Sequence, residues 1–217
     1  MYEEKKDCHL IGRNKEEIEK ISNKLNYSFS VCDVLRMDFA KKLSEELFDI
    51  DILGIAYCIG SIDLKPFRST KPSDFVSSYV LNLVSVTEII RNFQDNLKKN
   101  KASIVLFSTV AAKKGFTNHS IISSAKSGVE GLTVSLAAEF APEIRVNCIA
   151  PSLTKSKMAK NVITSSKIEE SIAKLHPLKR IGEGSDAANL ANFLLSNNSS
   201  WITGQIIGVD GGRAVIA

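Results

Sequence analysis

The chain has 217 residues, 44% of them hydrophobic and 24% charged, a composition that fits one ordinary globular domain and excludes a disordered or collagen-like chain. Lys and Arg number 28 against 24 Asp and Glu, a formal net charge of +4, too mild to imply nucleic acid when no basic stretch is interleaved with aromatics. The longest apolar run, residues 52–59, is far too short to span a membrane, and the mixed-charge N-terminus lacks a signal-peptide hydrophobic region, so a cytoplasmic protein is expected.

Strand-length apolar runs begin at residues 8–12 (CHLIG) and recur at 27–32 (YSFSVC), 51–57 (DILGIAY), 103–108 (SIVLFS), 144–149 (IRVNCI) and 205–209 (QIIGV). They read as interior parallel strands, apolar on both faces and rich in β-branched residues. Between them lie segments of helical period. Ile18, Ile21 and Leu25 keep one face of residues 15–25 apolar, and Val129, Leu132, Leu136 and Phe140 do the same for the segment that begins near His119. This alternation predicts the α/β class: three layers, doubly wound about a mostly parallel sheet with right-handed crossovers. No repeat or linker divides residues 1–217, so one domain is expected. Such sheets carry ligands at the carboxyl ends of their strands, which points to the loops after Gly12, Cys32, Tyr57, Ser108 and Ile149.

Four cysteines (Cys8, Cys32, Cys58, Cys148) stand far apart with no CxxC pair, and His9, His119 and His176 form no cluster, so no metal site is expected. Each cysteine falls in a segment read as a buried strand, where a free thiol behaves as a small hydrophobe.

Three motifs stand in order: Arg145-Val146-Asn147-Cys148-Ile149-Ala150-Pro151, then His176-Pro177-Leu178-Lys179-Arg180-Ile181-Gly182, then Trp201-Ile202-Thr203-Gly204-Gln205 running on to Val209-Asp210-Gly211-Gly212. Leu81-Asn82-Leu83 lies in a long helical segment, Asp33-Val34 follows a strand, and Lys126 comes one helix after Ser108-Thr109. On these residues the chain resembles the short-chain dehydrogenase/reductase family from Asp7 almost to its C-terminus. The resemblance implies a Rossmann-like fold that binds NAD(H) or NADP(H) and moves a hydride to or from the carbonyl carbon of a small-molecule substrate. It also implies four catalytic parts. A Ser orients the carbonyl, a Tyr is general acid or base, a Lys one turn later lowers the phenol pKa and holds the nicotinamide ribose, and an Asn completes a water relay.

In this chain the serine position falls on Thr109, which keeps a hydroxyl, while Asn82 and Lys126 match the Asn and the Lys. The tyrosine position, four before Lys126, is Ile122, which neither donates nor accepts a proton. His119, three residues before Ile122, is the candidate substitute, set against an ordinary surface or capping histidine. On the cofactor side, Arg13 directly follows CHLIG where a basic residue meets a 2′-phosphate, which favours NADP(H) over NAD(H). The resemblance gives Asp33 and Val34 to the adenine end, although an Asp in a turn is also a common cap. It gives Cys58 and Gly60 to the turn where the family has Asn-Ala-Gly, Lys126 to the ribose, and Pro151, Ser152 and Ser156 to the nicotinamide end.

The family opens with a strand and a Thr-Gly-xxx-Gly-x-Gly loop that receives the pyrophosphate. Here residues 1–6 resemble only the tail of the helix that follows, so the first strand and first helix are read as truncated and cofactor binding as weakened or lost. In the order 3-2-1-4-5-6 that strand is central, and without it CHLIG and DILGIAY lack their shared neighbour. An internal Met taken as the start, a decayed gene, or a sheet closed up to work as a binding or scaffold subunit are the three explanations. Two functions follow: an NADP-preferring oxidoreductase with an impaired site, or a catalytically inactive binding or scaffold subunit. A homodimer or homotetramer through residues 73–98 and 119–140 is the expected assembly. Lys155, Lys157, Lys160 and Lys167, in the variable loop 152–172, either meet an acidic substrate or cover a solvated helix face.

Overall fold

Strands and helices alternate along residues 7–216, which are those described by the computed structural model; the helix tail read at residues 1–6 lies outside them. In order come β1 (His9–Gly12), α1 (Lys15–Leu25), β2 (Ser28–Val31), α2 (Phe39–Glu46), β3 (Gly54–Tyr57), α3 (Pro72–Tyr79), α4 (Ser85–Lys99), β4 (Ser103–Phe107), α5 (Ser120–Phe140), β5 (Arg145–Pro151), α6 (Ser166–Lys174), α7 (Gly184–Leu195) and β6 (Ile206–Val209). A π-helical turn, Val80–Val84, joins α3 to α4.

Local chemistry sets the boundaries. Asn14 caps α1 by accepting the Glu17 N–H at 3.2 Å, and Asn26 ends it in the left-handed region at φ 55°. The α7 start is a capping box in which the Asp186 carboxylate accepts the Glu183 N–H at 2.7 Å while Arg180 grips the same carboxylate at 2.6 and 2.8 Å. The α5 helix stops before Pro142, which cannot continue it.

The core forms on both faces of β4 and β5, and the period of two along each strand decides which side chain goes where. Ile104, Leu106, Val146 and Cys148 point to one face, where Val86, Ile90, Phe93 and Leu97 of α4 and Val129 and Phe140 of α5 cover them. Val105 and Ile149 point to the other, against Ala191 and Leu194 of α7. Burying each large apolar side chain contributes roughly 1.5–3 kcal/mol, so the stability of the fold is concentrated on these two strands. The expected three layers are present, and every strand pairing is parallel.

The sheet itself is divided. Strands β3-β4-β5-β6 form one sheet and β1-β2 a separate pair, with no ladder between β1 and β3. The reading of a sheet that has closed up is therefore corrected among the described residues: the two parts keep apart. In a strand the N–H and C=O of one residue point to the same side and alternate along the chain. The Ser103 N–H bonds to Leu53 C=O and the Cys32 N–H to Gly12 C=O, so Leu53, Ile55 and Tyr57 face β4 and Leu10 and Gly12 face β2. Gly54 and Ala56 on β3, and His9 and Ile11 on β1, turn their backbone groups to edges that carry no strand among the described residues.

Two further expectations change for the same reason. Strands apolar and buried on both faces describe β4 and β5, whereas β1 and β2 are half-buried and Val31 is exposed. Of the cysteines only Cys148 is buried; Cys8 and Cys32 are intermediate and Cys58, just past β3 at the break, is exposed.

Candidate active site

The loops after β3, β4 and β5 meet α5 and the π turn at one place. Asn82, in that turn, is buried; its Nδ2 donates to the Ser78 carbonyl at 2.9 Å and its Oδ1 accepts the Ser61 N–H at 3.3 Å. Gly60 sits between Asn82 and Lys126. A Cβ on Gly60 would lie 2.8 Å from Asn82 Oδ1 and 3.2 Å from Lys126 Nζ, so glycine is what lets this turn approach both. Lys126 is buried on the inner face of α5, and its Nζ donates to the Phe107 carbonyl at the end of β4, 2.8 Å away. Desolvation lowers its pKa to about 8, partly opposed by the neighbouring thiols of Cys148 and Cys58.

Ile122, one helical turn before Lys126, is also buried, at 4% exposure. The face that carries the ammonium thus presents a hydrocarbon where the resemblance expects a phenol. Thr109 caps the short turn Val110–Ala112, its Oγ1 accepting the Ala111 N–H at 3.3 Å. His119 is the N-cap residue of α5. Its Nδ1 donates to the Thr117 carbonyl at 2.7 Å and its ring lies 5.4 Å from that of Phe116, so the imidazole is held within its own loop.

The cofactor-side residues divide into free and engaged. Arg13 is exposed at the end of β1, and Val34 is buried. Asp33 accepts the Leu35 N–H at 3.1 Å, the capping role weighed above. Pro151 ends β5; the Ser152 hydroxyl bonds His176 Nε2 at 2.8 Å, and Ser156 accepts the Ala159 N–H at 3.1 Å. Of the loop lysines, Lys155 pairs with Glu169 and Glu183 and Lys157 with Glu17, so these two are neutralised by carboxylates of the chain itself.

One buried group escaped sequence reasoning. Glu130, four residues after Lys126 on the same face of α5, accepts the Ser108 hydroxyl at 2.9 Å and lies 3.7 Å from Lys113 Nζ. The i, i+4 spacing from Lys126 was the available signal.

The buried amine has a pH consequence. Below about 8 it is charged in both folded and unfolded chains, and burial of that charge works against the fold. As pH rises from there to 10.5 the folded state gives up the proton while the unfolded state keeps it, so this group's contribution to stability rises with pH and is complete above 10.5. Comparing wild type with Lys126→Met by denaturant unfolding, the difference is expected to move in favour of wild type by up to about 3 kcal/mol between neutral pH and the top of that window. A flat difference would show that the amine is not desolvated.

A family model described as Enoyl-(Acyl carrier protein) reductase matches residues 7–214. A tropinone reductase homolog of Arabidopsis thaliana is 31% identical over 217 residues, covering 95% of this chain and 82% of that protein. An uncharacterized short-chain type dehydrogenase/reductase of Sinorhizobium fredii is 30% identical over 196 residues, covering 85% and 75%. The chain belongs to the short-chain dehydrogenase/reductase family. Among solved structures, ElxO with NADP bound superposes with a TM-score of 0.86 at 25% identity, over 98% of this chain and 90% of that one. In this short-chain dehydrogenase/reductase, Asn82 and Lys126 converge on Gly60, and the buried Ile122 lies one helical turn before Lys126.

Proposed function

We propose that this short-chain dehydrogenase/reductase binds NADP(H) with reduced affinity and that Ile122 suppresses proton transfer to its small-molecule carbonyl substrate. The observation that carries the reading is the convergence of Lys126 and Asn82 on Gly60, with a buried Ile one turn before the Lys. Asn82 and Lys126, brought within reach of each other because Gly60 has no Cβ to stand between them, are the side chains to hold the nicotinamide ribose. Arg13, exposed beyond β1, suits a 2′-phosphate, and the fold is similar to that of ElxO, which has NADP bound. When bound, the cofactor supplies the hydride. Lys126 and Asn82 can position the ribose and a water, but Ile122 leaves no phenol to give or take the substrate proton. Thr109 still offers a hydroxyl to orient a carbonyl.

The second reading, a catalytically inactive binding or scaffold subunit, is favoured by Ile122 together with the divided sheet. Titrating the chain with NADPH and following nicotinamide fluorescence separates the two. Saturation in the micromolar range, lost or weakened about tenfold or more in Arg13→Ala while NADH binding is unchanged, is the expected result; no binding at millimolar NADPH would leave only the second reading. Assembly as a homodimer or homotetramer belongs to the same proposal. Val76, Val80 and Val84 form an exposed apolar stripe at spacings of four along α3 and the π turn, and Val134 is exposed on α5.

A further inference from the structure

A cavity of about 350 Å³ opens at the carboxyl ends of β5 and β6, lined among others by Ser152, Leu153, His176, Leu178, Val209 and Gly211. His176 is 1% exposed, and its two ring nitrogens have fixed partners. Nδ1 lies 2.9 Å from the Ile172 carbonyl oxygen and Nε2 lies 2.8 Å from Ser152 Oγ. A carbonyl can only accept, so Nδ1 carries the proton of the neutral ring. Nε2 is then the acceptor, and the Ser152 hydroxyl donates to it. A serine donating to an imidazole whose tautomer is held by a third group is the arrangement that activates a hydroxyl as a nucleophile.

The surroundings fit that chemistry. Ser152 is half-buried and immediately follows β5, and its own N–H bonds the Val209 carbonyl at 3.2 Å, so the sheet sets its position. The backbone N–H groups of Leu153 and Gly211 have no hydrogen-bond partner among the described residues. The N–H that follows a nucleophile is a common oxyanion donor. Leu153, Leu178 and Val209 add apolar wall for a short acyl chain.

We propose that Ser152 and His176 form a nucleophilic dyad that accepts the acyl group of a small ester or thioester, an activity separate from hydride transfer. Ser152 Oγ forms a bond to the acyl carbon as its proton passes to His176 Nε2. The bond from that carbon to the alcohol or thiol breaks, and the leaving group takes the proton from Nε2, giving acyl-Ser152 and a neutral alcohol or thiol. Water, deprotonated by the same nitrogen, then releases the carboxylic acid and restores the serine.

Incubation of the purified chain with p-nitrophenyl acetate, and separately with a fluorophosphonate, followed by peptide mass mapping, tests this. The expected result is an adduct on Ser152 that is absent from Ser152→Ala and forms at least about 10²-fold more slowly in His176→Gln. Because His176 is buried and its replacement can impair folding, Ser152→Cys supplies an independent readout. In that variant iodoacetamide is expected to alkylate position 152 at neutral pH faster than Cys58 of the same molecule. An unmodified Ser152 peptide in folded wild-type protein, or a Ser152→Cys thiol no more reactive than Cys58, overturns the proposal.

Discussion

Replacing Ile122 with Tyr is expected to raise NADPH-dependent reduction of small ketones by about 10²–10⁴-fold over the wild-type chain, the usual worth of a positioned general acid. Residues 122 and 126 lie one turn apart on the buried face of α5, so the phenol would enter beside an ammonium that favours its ionised form. Two controls make the gain specific. NADPH affinity should stay the same, because Lys126 and Asn82 are untouched, and adding Lys126→Met should abolish the gain. Ile122 is 4% exposed, so the larger ring will overpack its site at a cost of about 1–3 kcal/mol, visible as a lower melting temperature. A folded, NADPH-binding Ile122→Tyr protein with no gain in rate would mean that proton transfer is not what limits this chain, and the non-catalytic reading would stand.

The divided sheet makes the second large prediction. Amides of His9, Ile11, Gly54 and Ala56 face open strand edges, while β4 is paired on both sides and β5 lies between β4 and β6. By native-state hydrogen exchange the four edge amides should exchange at least about 10³-fold faster than those of Val105, Leu106 and Cys148. Opening free energies within one domain run from near zero up to the global value of about 5–15 kcal/mol. The alternation on β3 sharpens the test. Ala56→Pro removes an N–H that faces the open edge, whereas Ile55→Pro deletes a ladder bond to β4 and should cost about 3 kcal/mol more. Equal protection along both faces of β3 would show that the two ladders are joined in solution.

The elements that were legible from sequence are those in which one local pattern and one burial pattern agree. The α5 helix reads from the spacing of Val129 and Phe140, and both are buried; the runs at 103–108 and 144–149 became β4 and β5 because their residues are apolar on both faces and are covered on both. The short runs at 8–12 and 27–32 carry the same apolar signal but end as a half-buried pair, because burial depends on a neighbouring strand that their own residues do not contain. Cys58 shows the same dependence: it lies within the apolar run 52–59, yet it is exposed at the break.

At the site, residue type was readable and partnership was not. That Ile122 offers no group for proton transfer, while Lys126 and Asn82 offer an amine and an amide, follows from residue type alone, because side-chain chemistry does not depend on the fold. The burial that lowers the Lys126 pKa, the close approach of Asn82 and Lys126 to Gly60, and the engagement of Ser152 by His176, of Ser108 by Glu130 and of Lys155 by two carboxylates all join residues from different elements. The sequence by itself therefore determined the α/β class and the family, both of which rest on patterns within one element or motif. Only the tertiary structure decided where the sheet divides, which polar groups are already occupied and which serine faces a base, since each of these is a distance between segments far apart in the chain.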